Sequence, residues 1–239
     1  MGAGVGTMKL QMMLVVAAAA GVAAAAQPST LNGDPDAGAR KDAMCIGCHG
    51  IVGFKTAFPE VYRVPKLYGQ NARYIATALG EYKRGERNHP SMRAIAQILT
   101  DQDMADLGAY FESAPASQPP RKEEKQEVFP PGGQSSPEAT QGKSLVARGG
   151  CQGCHGENFT KPIDPSFPKL AGQNGDYLYA ALRAYKLGEN PREKPWIGRT
   201  SPVMGGMTAQ FTDEQLQALA TYLASLPGNL ATLQRSRFH

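Results

Sequence analysis

The sequence predicts an all-α protein built from two tandem copies of one small helical domain. Three observations predict it. Apolar residues recur at helical spacing, and no stretch alternates as a strand does. A 21-residue segment from Lys66, "KLYGQNARYIATALGEYKRGE", returns from Lys169 as "KLAGQNGDYLYAALRAYKLGE" with 12 identical positions and no gap. All four cysteines of the 239-residue chain fall in two copies of one hexapeptide, "CIGCHG" at 45–50 and "CQGCHG" at 151–156. Two domain-sized copies mean duplication of a domain and not a solenoid.

The chain opens on a segment that does not belong to the fold. Lys9 is followed by an apolar run from Leu10 to Ala26, closed by Ala24 and Ala26 in an A-x-A arrangement. That pattern is a secretory signal peptide, residues 1–26, cut after Ala26, which sends the rest of the chain to the periplasm. An uncleaved leader would instead anchor it and give a loose membrane association. The run is weakly hydrophobic for a span.

Residues 27–113 form the first expected domain, 114–137 a linker rich in Pro, Ser, Gly and charge, and 138–239 the second domain. Composition is globular, with 41% hydrophobic and 19% charged residues. A net charge of +4, with no Lys/Arg run and no Gly-rich phosphate loop, gives no reason to expect nucleic acid or nucleotide as a partner. Nothing in the sequence sets an oligomeric state.

Each element follows from local chemistry. Asp34-Pro35 is an N-cap and first-turn pair ahead of the first hexapeptide. Tyr74, Ile75, Ala78, Leu79 and Tyr82 share one helix face, and Tyr177, Leu178, Ala181, Leu182 and Tyr185 repeat it. Thr100 with Asp103, and Thr212 with Gln215, open a last helix in each copy. Met104, Leu107, Tyr110 and Phe111 line that helix in the first copy, and Met104 reads as core. Met92 and Met204 fall in Gly/Pro-containing loops before it. Domains of this size bury little surface unaided, so something else should fill their centres.

The C-x-x-C-H motif has four readings. Zinc needs a fourth ligand, and neither half has a second Cys/His cluster. A redox C-x-x-C belongs on a thioredoxin-like sheet, for which there is no strand pattern. A structural disulfide would not need the histidine. Covalent haem attachment uses every residue: two thiols add to the haem vinyl groups, and the adjacent histidine ligates the iron. Cys45, Cys48 and His49 form one such set, and Cys151, Cys154 and His155 the other. The sixth ligand must be shared by both copies. His239 is the terminal residue, and His89 aligns with Ser201. Met92 and Met204 occupy equivalent positions, whereas Met207 aligns with Ile95, which cannot ligate.

On these motifs, with "PKLYGQNARYIATALGEYKRGERNHPSM", "PKLAGQNGDYLYAALRAYKLGE" and "SPVMGGM", the sequence resembles the dihaem class I cytochromes c, most closely the cytochrome c-4 type. The resemblance covers nearly all of the mature chain. It implies two class I cytochrome c domains, each wrapped around one covalently attached haem c whose iron is held by His49 and Met92 or by His155 and Met204. It implies that Pro65 and Pro168 accept the second ring N–H of each ligand histidine through their carbonyls. It also implies that Tyr110 and Tyr222 pack where the first and last helices of each domain cross. Three departures stand out: the linker is long and charged, the second half carries nine extra residues around "NPREKPWIGRT", with the only Trp, Trp196, and the first half lacks a residue like Met207. That insert reads as a surface loop, with a docking surface for a partner as the alternative.

An iron with protein ligands on both faces has no position open to substrate. The expected function is therefore electron transfer and not catalysis, with redox proteins as partners. The donor would be a quinol-oxidising complex or a dehydrogenase, and the acceptor a terminal oxidase. A cytochrome subunit of a larger dehydrogenase or flavocytochrome is the alternative. A haem enzyme, such as a dihaem peroxidase or a thiosulfate-oxidising cytochrome, would require one iron to be open or differently ligated, with His89 in place of Met92.

Overall fold

The computed structural model describes residues 1–2, 31–113, 135–188 and 196–232. The leader, most of the linker, the first part of the insert and His239 lie outside these residues.

In the first half, α1 (Pro35–Lys41) begins at Asp34, whose side chain accepts from the Asp36 N–H, with Pro35 in the first turn as expected. α2 (Ala43–His49) carries the first cysteine motif. A two-residue hairpin of β1 (Lys55–Thr56) and β2 (Tyr62–Arg63) leads to the long α3 (Ala72–Arg84). Gly85 ends α3 at φ 82°, the left-handed conformation that glycine adopts at no steric cost. Next come β3 (Arg87–Asn88), α4 (Pro90–Gln97) and α5 (Asp101–Ser113). The second half repeats the helix order without a counterpart of the β1–β2 hairpin among the described residues: α6 (Pro137–Arg148), α7 (Gln152–His155), α8 (Gly175–Leu187), β4 (Gly198–Arg199), α9 (Pro202–Ala209) and α10 (Asp213–Ser225). Among the described residues no helix is long and apolar enough to cross a membrane.

The first and last helices of each half cross at a glycine. A Cβ on Gly38 would come within 2.2 Å of the Asp106 carbonyl and 2.6 Å of the Tyr110 side chain, so α1 lies on α5 backbone to backbone. Gly142 makes the same close approach between α6 and α10, at Ala218 and Tyr222. Tyr110 and Tyr222 thus sit at the crossings, where the resemblance puts them. α10 starts with a full capping box between Thr212 and Gln215. At α5, Asp103 accepts from both the backbone and the hydroxyl of Thr100.

Two cores result. Ile75 and Leu79 of α3 pack on Met104, Leu107, Tyr110 and Phe111 of α5 in the first half, so Met104 is core. Leu178 of α8 packs on Leu216, Leu219 and Leu223 of α10 in the second, with Phe159 and Phe211.

The all-α reading holds, with strand limited to two short pairs: β1–β2 is a hairpin, and β3–β4 pairs the two halves. Strands of two residues are too short to leave an alternating pattern. One expectation is corrected: Met92 and Met204 sit in helices and not in loops. Pro90 and Pro202 start α4 and α9 at the position where a missing N–H costs nothing, and His89 and Ser201 cap them.

The halves meet through their repeated K-L-x-G-Q-N segments. Lys66 N–H donates to Gln173 Oε1 at 2.9 Å, and Gln173 Nε2 donates to Lys66 O at 3.0 Å. The exchange recurs with the partners swapped: Lys169 N–H to Gln70 Oε1 at 2.9 Å, and Gln70 Nε2 to Lys169 O at 3.0 Å. Lys66 Nζ donates to Gly172 O at 2.6 Å and Lys169 Nζ to Gly69 O at 2.5 Å. Asn71 Nδ2 donates to Phe167 O, and Asn174 Nδ2 to Val64 O. Gly69 and Gly172 turn at φ 83° and 73°, which lets the chain double back between these contacts. Cross-half ion pairs of Arg63 with Asp176 and Arg183 with Glu60, both at 3.1 Å, flank the clasp.

Candidate haem-binding sites

The short helices that carry the predicted chemistry are poorly held by protein. α2 buries only His49, α4 only Ala96, α7 only His155 and α9 only Thr208. The long helices, by contrast, bury apolar side chains along whole faces. The N-terminal motif is ringed by exposed apolar residues, Met44, Ile51, Val52 and Phe54, and Val203 is exposed beside Met204. Helices this short do not stand without tertiary packing.

The donor atoms are arranged alike in both halves. His49 is buried, and its Nδ1 lies 2.9 Å from Pro65 O; His155 is buried, with Nδ1 3.0 Å from Pro168 O. A carbonyl can only accept, so Nδ1 carries the proton in each ring and Nε2 keeps its lone pair. Burial pushes both histidines below their usual pKa, against the opposing pull of the proline carbonyl. Neutral imidazole with one free nitrogen is the form that binds a metal. Cys45 and Cys151 are partly buried and Cys48 and Cys154 exposed, and none of the four is paired in a disulfide.

Met92 and Met204 occupy the same turn of α4 and α9, and Met92 packs against the first core. His89 is engaged elsewhere. It caps α4, accepting the Met92 N–H at a long 3.4 Å, as Ser201 Oγ accepts the Met204 N–H at 3.2 Å. Burial and then the Arg199 charge hold His89 below its usual pKa, as an acceptor requires. A chain with two cysteine pairs, two Nε2 lone pairs and two methionine thioethers at matched places fits two haem groups and does not fit zinc, which would lack ligands.

Sequence reasoning missed two features. One is the clasp. Its signal was present, because the polar residues of K-L-x-G-Q-N repeat although neither haem attachment nor a helix face requires them. The other is a buried cluster in which Arg87 of β3 and Arg199 of β4 lie over tyrosine rings: Arg87 over Tyr74 and Tyr82, Arg199 over Tyr177 and Tyr185. Trp196 is half exposed and sits 6.4 Å from Phe58 of the other half, so the described end of the insert touches the first half.

Two helical units, each with one C-x-x-C-H motif and a matched methionine, define a dihaem c-type cytochrome. The sequence model of the cytochrome c family matches residues 38–115 and again 139–227. The chain belongs to that family and carries two covalently attached haem c groups. It is 30% identical over 226 residues to cytochrome c4 of Pseudomonas aeruginosa, covering 91% of this chain and 98% of that protein. The crystal structure of reduced recombinant cytochrome c4 from Pseudomonas stutzeri superposes with a TM-score of 0.58 at 29% identity, over 82% of this chain and all of that one. A protein of Stutzerimonas stutzeri named thiosulfate dehydrogenase electron acceptor is 30% identical over 197 residues, covering 79% of this chain and 82% of that protein. The chain is a dihaem electron carrier of the cytochrome c4 type.

Proposed function

We propose that the chain carries electrons in the periplasm from a quinol-oxidising complex or a dehydrogenase to a terminal oxidase. In this reading Cys45 and Cys48 hold one haem and Cys151 and Cys154 the other. His49 and Met92 would ligate the first iron, and His155 and Met204 the second. The haem supplies the one-electron Fe(II)/Fe(III) couple. The protein sets its terms: the proline carbonyls fix each histidine's tautomer and direction, and methionine ligation raises the potential.

The observation that carries the reading is the matched geometry of the two halves. Each has a buried histidine bound to a proline carbonyl, with a methionine on a capped short helix. Neither site is built to differ from the other as the active haem of an enzyme would. The relative named as an electron acceptor of thiosulfate dehydrogenase supports a sulfur-oxidising dehydrogenase as one donor. The pattern of residues 1–26 supports export.

The test is an optical spectrum of the oxidised and reduced mature protein with a pyridine haemochrome count. Two haems per chain, with a Met-to-iron near-infrared band of two-site intensity, are expected. Half that intensity, or one high-spin haem, would replace the carrier by an enzyme.

A further inference from the structure

The clasp reaches the histidines directly. The carbonyl of the Pro65–Lys66 peptide faces His49 Nδ1 at 2.9 Å, and the N–H of the same peptide donates to Gln173 Oε1 at 2.9 Å. The Pro168–Lys169 peptide repeats this: its carbonyl faces His155 Nδ1 at 3.0 Å, and its N–H donates to Gln70 Oε1 at 2.9 Å. Each histidine is thus linked to a glutamine of the other half through one peptide unit and the two hydrogen bonds at its ends. Gln70 and Gln173 are 3% and 4% exposed. Each amide nitrogen is also bound across the interface, so neither side chain can turn without losing a second hydrogen bond.

We infer that Gln173 is a positioning residue for the haem of the first half and Gln70 for the haem of the second. Each acts across the interface, through the peptide that supports the ligand histidine. The inference rests on the ligand set proposed above. Hydrogen bonds in series polarise one another, so a peptide whose N–H is held by a buried amide accepts more strongly at its carbonyl. The histidine that donates to that carbonyl becomes a more basic ligand and favours Fe(III). The potential in each half therefore answers to a residue of the other half.

The experiment uses the full-length, haem-loaded protein with Gln173→Leu and Gln70→Leu. Each haem is titrated and assigned by paramagnetic NMR, and exchange of each histidine Nδ1–H is followed. With Gln173→Leu, the first-half potential should rise and the second stay in place. His49 Nδ1–H should exchange about five-fold faster, the effect of losing roughly one hydrogen bond. Gln70→Leu should do the reverse. Asn174→Ala removes the cross-interface bond to Val64 O but leaves the Pro65–Lys66 peptide bonded, and it should shift neither potential. A shift in the glutamine's own half, equal shifts in both haems, an equal effect of Asn174→Ala, or no shift would each overturn the inference. If one variant fails to hold its haems, the mirror variant carries the same test. A parent protein without two His/Met haems would bring down the ligand assignment. A parent that has both haems, with glutamine variants that move neither, brings down this inference alone.

Discussion

Arg87 and Arg199 stand directly opposite each other in the antiparallel pair that joins the halves, both almost fully buried. Like charges so placed repel. The repulsion is offset by tyrosine faces and by hydrogen bonds from Arg87 to Tyr185 OH and from Arg199 to Tyr177 OH, both at 3.3 Å. Among the described residues the carboxylate paired with this cluster is Glu81, on Arg87. Its counterpart in the repeat is Ala184. Glu81→Gln should therefore destabilise the protein by about 2 kcal/mol, below the range for a wholly buried pair because Glu81 is partly exposed. Urea unfolding measures this, and an unchanged midpoint would mean that the tyrosines alone hold the pair.

The helix crossings give a sharper test. Gly142→Ala places a methyl group 2.1 Å from the Ala218 carbonyl, which forces α6 away from α10. A loss of about 3 kcal/mol, at the upper end for overpacking, is expected in denaturant unfolding. An unchanged midpoint would refute the crossing geometry.

The ligand set separates by substitution. Met92→Ala and Met204→Ala should each keep two haems by haemochrome, halve the near-infrared band and open one iron to cyanide. Met207→Leu should leave the spectrum as it is. A full-intensity band in Met204→Ala would hand the role to Met207.

Acid should release one contact selectively. Lys41 lies 2.6 Å from Asp103, and its hydrogen bond, followed by those of Thr100, lowers the Asp103 carboxyl from 3.8 to about 2. A carboxyl whose pKa is lowered by folding stabilises the fold above its unfolded value and loses that contribution as pH falls through the folded value. The stability difference between the parent and Asp103→Asn should thus be full at pH 5 and vanish between about pH 4 and pH 2. It should stay under about 1 kcal/mol, because the pair is open to solvent. A difference that persists at pH 2 would assign the effect to the helix cap and not to the charge.

What the sequence disclosed was local chemistry. C-x-x-C-H, the Asp34-Pro35 start and the Thr212 capping box each act within a few residues, and all were readable. Met92 and Met204 were placed by alignment of the halves, but their helices were hidden because α4 and α9 bury almost nothing of their own. The clasp left a signal in the repeated polar residues, but its pairing was out of reach for another reason. Its partners, such as Lys66 and Gln173, are 107 residues apart, and no periodicity links them. The repeat showed that Gln70 and Gln173 are equivalent. It did not show that each serves the other half.

That reciprocity bears on symmetry. Each half carries both a grip and the peptide that is gripped, so its interface is complementary to a copy of itself. A two-fold assembly of identical subunits needs that property, and a single chain does not. The tandem arrangement joins two such self-complementary faces in one chain. The two copies differ away from the clasp, at Glu81 and Ala184 and in the insert that holds Trp196.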